Sequence, residues 1–370
     1  MPFPQLDRHQ LVVKPLGARS NKVVAQRDFI PPETLPKPFA VAKRAIIEEA
    51  IRRVRQARAD KRPVMLAFGA HAIKNGLGPV MIRLMEEGWI THLATNGAGV
   101  IHDWEFAYQG QSSEDVRANV AQGQFGIWQE TGFYINLAIL VGAWRGLGYG
   151  ESVGALVQNE GLMIPAADEL RQSVAGVVDD PETAAAAADL LGAVQRFNLR
   201  PGFMGVAHPS KATCVQAAAY RLQVPFTAHP MIGHDIIYTH PMNHGAAIGR
   251  TALRDFLSFS ANVRQLDGGV YFSVGSAVMS PMIFEKAMSM SQNLEIQAGR
   301  RLERHWICVV DLAEAQWDWQ NQGEPPVTHP AYYLRYCKTF SRMGGTMSYL
   351  SADNRDFLLA LYQGLKQPPS

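Results

Sequence analysis

Cysteine is scarce in this chain, and an excess of charge of either sign is absent. Its three cysteines, Cys214, Cys308 and Cys337, are odd in number and far apart, which fits neither a disulfide framework nor a thiolate metal site. A reducing, cytoplasmic setting is the expectation. Lys and Arg number 35 against 33 Asp and Glu, a formal charge of +2 with no basic run, so the electrostatic footprint of phosphate-backbone binding is missing and nucleic acid is not an expected partner. Long apolar runs are absent too. The most apolar stretch, 133–144, is interrupted by Asn136 and ended by Arg145, and the opening MPFPQLDRHQ lacks the basic-then-apolar pattern of an export signal. Neither a membrane span nor a cleaved signal is expected. What is present is a composition with 47% hydrophobic and only 18% charged residues, enough to bury a large core.

Proline is concentrated at the start, at positions 2, 4, 15, 31, 32, 36 and 38. That density blocks helix and predicts an extended arm over 1–40, lying on the core or on a neighbouring subunit. The remainder, 41–370, reads as one large α/β domain. Ala42, Ile46, Ile47, Ile51 and Val54 recur at helical spacing between charges, predicting an amphipathic helix over about 40–60. Short apolar runs then alternate with helical patterns: 64–68 (VMLAF), 90–95, a run ending near 206–210, 223–229, 268–278 and 305–312. Runs of this kind, each followed by a helix, predict a doubly wound parallel sheet with helices on both faces. Within the long helical stretch between the second and third runs, Asp180 can cap a helix that has Pro181 at its first position.

Three segments can carry chemistry. Gly69 to Gly78 and Asn96 to Val100 are glycine-rich turns after predicted strands, the form in which backbone amides approach a phosphate at a helix N-terminus. Neither matches G-x-G-x-x-G, and the glycines equally suit tight turns. The stretch 228–249 gathers His229, His234, Asp235, His240 and His244 beside a strand end. Imidazoles with a carboxylate can shuttle protons or bind a divalent metal, although no spacing here is that of an established metal motif and hydrogen-bonded pocket or helix-cap histidines are the favoured reading. Lys338 lies among Tyr332, Tyr333, Tyr336 and Phe340. Burial there would make it a usable nucleophile, whereas an amphipathic helix would let it snorkel to water.

Read in order, these segments resemble the deoxyhypusine synthase family. AFGAHAIKNGLGPVMIRLMEEGWITHLATNGAGVIHDWE resembles its first nicotinamide-binding half, MIGHDII its Gly-Asp substrate segment, and GGVYFSVGSAVMSPMIFEKAMSM its glycine-rich strand-to-helix turn. YLRYCKTF falls where the family carries its lysine, and YLSADNRDFLLAL resembles the closing Ala-Asp segment. The resemblance spans about 64–365. It implies a Rossmann-like, deoxyhypusine synthase-like fold, NAD as cofactor near subunit interfaces, a homotetramer, and Lys338 forming an imine with an aminobutyl group. On this reading Gly69, His71, Asn96, Gly97, Ala98, Gly99, Gly275, Ser276 and Asp353 line the NAD pocket. Asp235, His234 and His240 join Lys338 in catalysis, and His229, His244, Asp318 and Glu324 contact substrate.

Two departures point to another substrate. The chain has Ser280-Pro281-Met282 where the family has Lys-His-His, and the acidic run before the lysine is reduced to Asp318 and Glu324, too few carboxylates to pair a polyamine's ammonium groups. The expected activity is therefore NAD-dependent oxidation of a small amine or alcohol through a lysine imine, with group transfer, rather than deoxyhypusine synthesis. The alternatives are a metal-dependent lyase or hydrolase using His229, His234, His240 and His244, and a non-catalytic ligand-binding homologue.

Overall fold

The computed structural model describes residues 3–314 and 316–368. Its strands, in chain order, are β1 (Asn21–Val24), β2 (Val64–Phe68), β3 (His92–Thr95), β4 (Gln111–Glu114), β5 (Gly161–Ile164), β6 (Gly202–Gly205), β7 (Phe226–Ala228), β8 (Val270–Val274), β9 (Trp306–Asp311) and β10 (Thr346–Ser351). Six of them form one parallel sheet in the order β10-β9-β8-β2-β3-β7. Counted among themselves in chain order and read from the β7 edge, these strands run 3-2-1-4-5-6, the order of the Rossmann fold.

The apolar runs explain why the sheet is covered on both sides. Successive side chains of a strand point to opposite faces. Val64, Leu66 and Phe68 of β2 join one hydrophobic cluster with Ile47, Val54, Phe357 and Leu361. Met65 and Ala67, between them, join a second with Phe259, Val263, Phe284 and Met288. Helices Val41–Ala59 and Asn354–Lys366 thus cover one face, and helices Gly245–Val263 and Met279–Gln297 the other. The helix predicted over 40–60 is Val41–Ala59, with Ile47, Ala50, Val54 and Ala57 buried along one stripe. Asp180 caps helix Pro181–Arg196 by accepting from Thr183 N at 3.1 Å.

One strand expectation is corrected. The run ending near 206–210 contributes β6, which pairs antiparallel with β5 in a separate ribbon. Met163 and Phe203 are exposed there, so this pair lies at the surface and not in a sheet buried on both faces. The sixth strand of the main sheet is β10, whose TMSYLS mixes polar and apolar residues because it is an edge. The proline-rich arm also differs from a purely extended segment. It forms β1, paired with β4, and buries Leu16 in the main core of its own chain. Among the described residues no helix is long and apolar enough to cross a membrane.

Candidate functional site

In an open parallel sheet a ligand sits beyond the carboxyl ends of the strands, at the point where strand order reverses. Here that point lies between β2 and β8. The chains leaving these strands touch: a Cβ on Gly69 would lie 2.2 Å from the carbonyl oxygen of Gly275, so only glycine fits. Gly275 itself has φ of 59°, the left-handed region that glycine enters without cost. Beyond it Ser276 and Ala277 are half-buried and Val278 is exposed, leading into helix Met279–Gln297. Val278 provides no side-chain cap for that helix, and Ser276 Oγ accepts from Ser280 N at 3.2 Å. An open turn on the N-terminus of a 19-residue helix suits an anionic group. Asn75 Nδ2 donates to Asn354 Oδ1 at 2.9 Å, tying the loop after β2 to the start of the last helix, beside Gly275.

One strand further along, Asn96 caps helix Gly97–Gln109 by accepting from Gly99 N at 2.9 Å. Asp235, in the loop after β7, comes in against this helix start: a Cβ on Gly97 would meet Asp235 Oδ2 at 2.0 Å. Its other oxygen accepts from Ile237 N at 3.1 Å. Burial raises the Asp235 carboxyl to about 6, only partly opposed by that hydrogen bond.

Between the segments that follow β2, β3 and β7 lies a cavity of about 210 Å³, small beside the pockets of drug-sized ligands. Lys74, His102, Glu105, Asp235 and the arm's Arg19 line it. Arg19 grips Glu105 through two bonds of 2.8 and 2.6 Å, both side chains being fully buried. Glu105 also accepts from Ser112 Oγ at 2.5 Å and Thr131 Oγ1 at 2.9 Å. His102 Nδ1 lies 2.7 Å from Ser112 Oγ, and burial, partly opposed by Glu105, takes it down to about 4, so it is neutral at pH 7. Lys74 is half-buried, and that burial lowers its ammonium below the usual range, with no carboxylate among the described residues acting on it.

The sequence expectations divide in space. Gly69, Gly275 and Ser276 share the switch point, with Asp353 beside Asn354. Asn96, Gly97, Ala98 and Asp235 meet one strand away, and Gly99 follows inside the helix. His71 is exposed on the short helix after β2, and His234 is exposed at the cavity rim. The Asp353 carboxylate caps its own helix and pairs with Arg355 at 2.7 Å, so it is already engaged.

The remaining candidates stand elsewhere. His229 Nε2 bonds Thr227 Oγ1 at 2.9 Å, and His92 bonds the same hydroxyl at 3.0 Å. Burial lowers both imidazoles to about 3, which makes them neutral core groups. His240 bonds Gln129 at 3.1 Å and accepts from Met242 N, while His244 lies near Asp189. With the four histidines in separate surroundings, the metal alternative is corrected: among the described residues no group of His, Cys, Asp and Glu is placed to hold an ion. Asp318 is exposed and caps helix Trp319–Gln322, and Glu324 pairs with Arg342. Lys338 sits on helix Cys337–Ser341 with its ammonium 3.7 Å from the Tyr332 ring centre and 4.1 Å from that of Tyr333. That is cation–π stacking, outside the set of residues lining the cavity.

A larger groove, about 740 Å³, runs along the edge strand β7. Arg254 pairs there with Glu182 and Arg221 with Glu86, Asp255 accepts from Gly150 N and Ala228 N, and Glu151 accepts from Gly148 N at 3.4 Å. The smaller cavity, at the strand ends and with unpaired charges, is the better candidate. Lys74, His102, Glu105 and Arg19 were not singled out in the sequence. The available signal was charged or titratable side chains one helical turn apart in otherwise apolar strand-end segments, His71 with Lys74 and His102 with Glu105.

No family model and no curated protein matches the chain, so the resemblance to deoxyhypusine synthases has no support there. Solved structures with a similar backbone include AgrE in complex with ornithine and NAD+, at 14% identity and TM-score 0.44 over 88% of this chain and 34% of that one. ArgZ, an arginine dihydrolase of cyanobacteria, is 13% identical with TM-score 0.40 over 87% and 32%. A LOR/SDH protein of Methanococcus maripaludis S2 is 12% identical with TM-score 0.43 over 91% and 73%. The chain spans about a third of the length of AgrE.

Proposed function

We propose that this chain is an oxidoreductase that holds a nicotinamide dinucleotide across the crevice between β2 and β8 and acts on a small amine or alcohol in the adjoining cavity. The observation that carries the reading is the 3-2-1-4-5-6 strand order with a glycine turn on each side of its reversal, because that crevice is where dinucleotides bind in this topology. The turn 275–278 and the first amides of helix Met279–Gln297 would hold the pyrophosphate. When bound, the dinucleotide supplies the hydride acceptor or donor.

The chain's own groups do the rest. Asp235, at about 6, is ionised at pH 7 and near the value that suits a proton acceptor; it takes the proton released as an amine or alcohol carbon is oxidised. Neutral His102, oriented through Ser112, offers a hydrogen-bonding ring nitrogen in the cavity wall. The Arg19–Glu105 pair closes one side of the cavity with the arm. Deoxyhypusine synthesis is not proposed, since Asp318 and Glu324, the carboxylates available for a polyamine, are engaged at the surface.

The test is thermal stabilisation and calorimetric titration with NAD+, NADH, NADP+ and NADPH, on the wild type and Ser276→Asp. Asp accepts the bond from Ser280 N as well as Ser does but sets a negative charge against the pyrophosphate. Stabilisation of the wild type by at least one of the four, lost in the variant at unchanged ligand-free Tm, supports the reading. Absence of binding by all four at millimolar concentration ends it.

A further inference from the structure

Two opposite charges, Lys74 and Asp235, face the 210 Å³ cavity with no counter-ion among the described residues. Lys74 reaches it from the helix after β2, and burial is the one influence moving its ammonium. Asp235 reaches it from the loop after β7, with one oxygen bonded to Ile237 N and no cation beside it. They do not neutralise each other. Of the other charges lining the space, Arg19 pairs with Glu105, and Glu114 accepts a hydrogen bond from Asn119 Nδ2 at 2.6 Å. The hydroxyls of Tyr149 and Tyr238 lie within electrostatic reach of Asp235 and are buried without a partner among the described residues.

A half-buried charge without a counter-ion is costly, and a ligand of opposite charge recovers that cost through a charge-assisted hydrogen bond. Two such charges of opposite sign on different walls of one small cavity make a matched pair of sockets. We infer that the cavity binds a small zwitterionic amino acid, its carboxylate on Lys74 and its ammonium on Asp235. The inference rests on reading this cavity as the substrate side of the proposed dinucleotide crevice, and narrows the amine substrate to one that also carries a carboxylate. It also assigns Asp235 two consistent tasks: it pairs with the ammonium on arrival and receives a proton from it before the carbon is oxidised.

Calorimetric titration tests it directly. Glycine, norvaline, lysine and glutamate are each compared with the amine lacking the carboxylate and the acid lacking the amine; for norvaline these are butylamine and pentanoate. At least one amino acid should bind at least tenfold more tightly than both of its counterparts. Lys74→Met should remove its advantage over the amine, and Asp235→Asn its advantage over the acid. No such preference in the wild type, or a preference untouched by both substitutions, overturns the inference, and the wild-type comparison holds even if a variant does not fold. NAD+ titration of the same samples separates the outcomes: dinucleotide binding without amino-acid preference sinks the sockets alone, whereas amino-acid preference without dinucleotide binding sinks the oxidoreductase reading alone.

Discussion

The bond between the arm and the core is the place where a single substitution should cost most. Arg19 is the arm's only charged group in the fully buried ion pair with Glu105, with both side chains about 2% exposed or less. Arg19→Met leaves Glu105 in the interior with the hydroxyls of Ser112 and Thr131 but no cation. Removing one partner of a buried pair costs about 3–5 kcal/mol, because the survivor is an uncompensated charge. With an unfolding entropy of about 2.1 cal/mol/K per residue over 370 residues, that loss lowers Tm by roughly 4–6 °C if the chain melts as one unit. Adding Glu105→Gln to Arg19→Met removes the stranded charge while keeping an oxygen for the two hydroxyls. The double variant should therefore be more stable than Arg19→Met alone. The assay is a double-mutant cycle by denaturant unfolding with a coupling energy of about 2 kcal/mol or more, beside limited proteolysis of residues 1–40. Additivity within about 0.5 kcal/mol, with the arm uncleaved in all variants, would refute the reasoning.

Other outcomes follow from single contacts. Gly69→Ala drives a Cβ to 2.2 Å from the Gly275 carbonyl; overpacking against backbone should cost about 1–3 kcal/mol and dinucleotide stabilisation should vanish, as read by melting with and without NAD+. Asp255 is raised to about 7 from 3.8 by burial, so the folded state keeps a proton that the unfolded chain gives up. Its contribution is complete below pH 3.8 and is lost as pH rises to about 7, on the order of 4 kcal/mol; urea unfolding of Asp255→Asn should show a flatter pH profile across that window than the wild type, and identical slopes would contradict the burial argument. Lys74→Met should weaken amino-acid binding at least tenfold while Lys338→Met leaves it unchanged, measured by calorimetry; equal losses would return the imine role to Lys338.

The sheet was legible because its strands are short, apolar and buried on both faces: VMLAF, VYFSV and WICVVD are each buried end to end. An edge strand lacks that requirement, which is why β10 with its serines was missed and the β6 ribbon was mistaken for part of the sheet. The glycine turns were legible for a related reason. Close approach of two backbones forbids a side chain at Gly69 and a positive φ favours glycine at Gly275, so both turns carry glycine in the sequence, although only the strand order shows that they meet at the switch point. The histidine stretch misled because spacing along the chain does not separate an imidazole in the core from one in a cavity. His229 and His234 are five residues apart, yet one is fully inside and bonded to Thr227 and the other is at a rim.

The cavity was harder to read, since its walls are assembled from parts far apart in sequence. Lys74 follows β2, His102 and Glu105 follow β3, and Asp235 follows β7, more than a hundred residues on, after the long helical insertion. Sheet topology brings them together: β2, β3 and β7 are neighbours in that order, so the segments leaving them converge on one side. Strand β8 begins the other half of the sheet, and its glycine turn faces the crevice. The same strand order thus sets the glycine turn of the switch point on one side of β2 and a charged cavity on the other, and β2 with its short helix, from Gly69 to Lys74, is the element common to both. A reaction that transfers hydride between two bound molecules needs that adjacency, and a perturbation of the turn at Gly69 should reach both sites where one at Lys338 reaches neither.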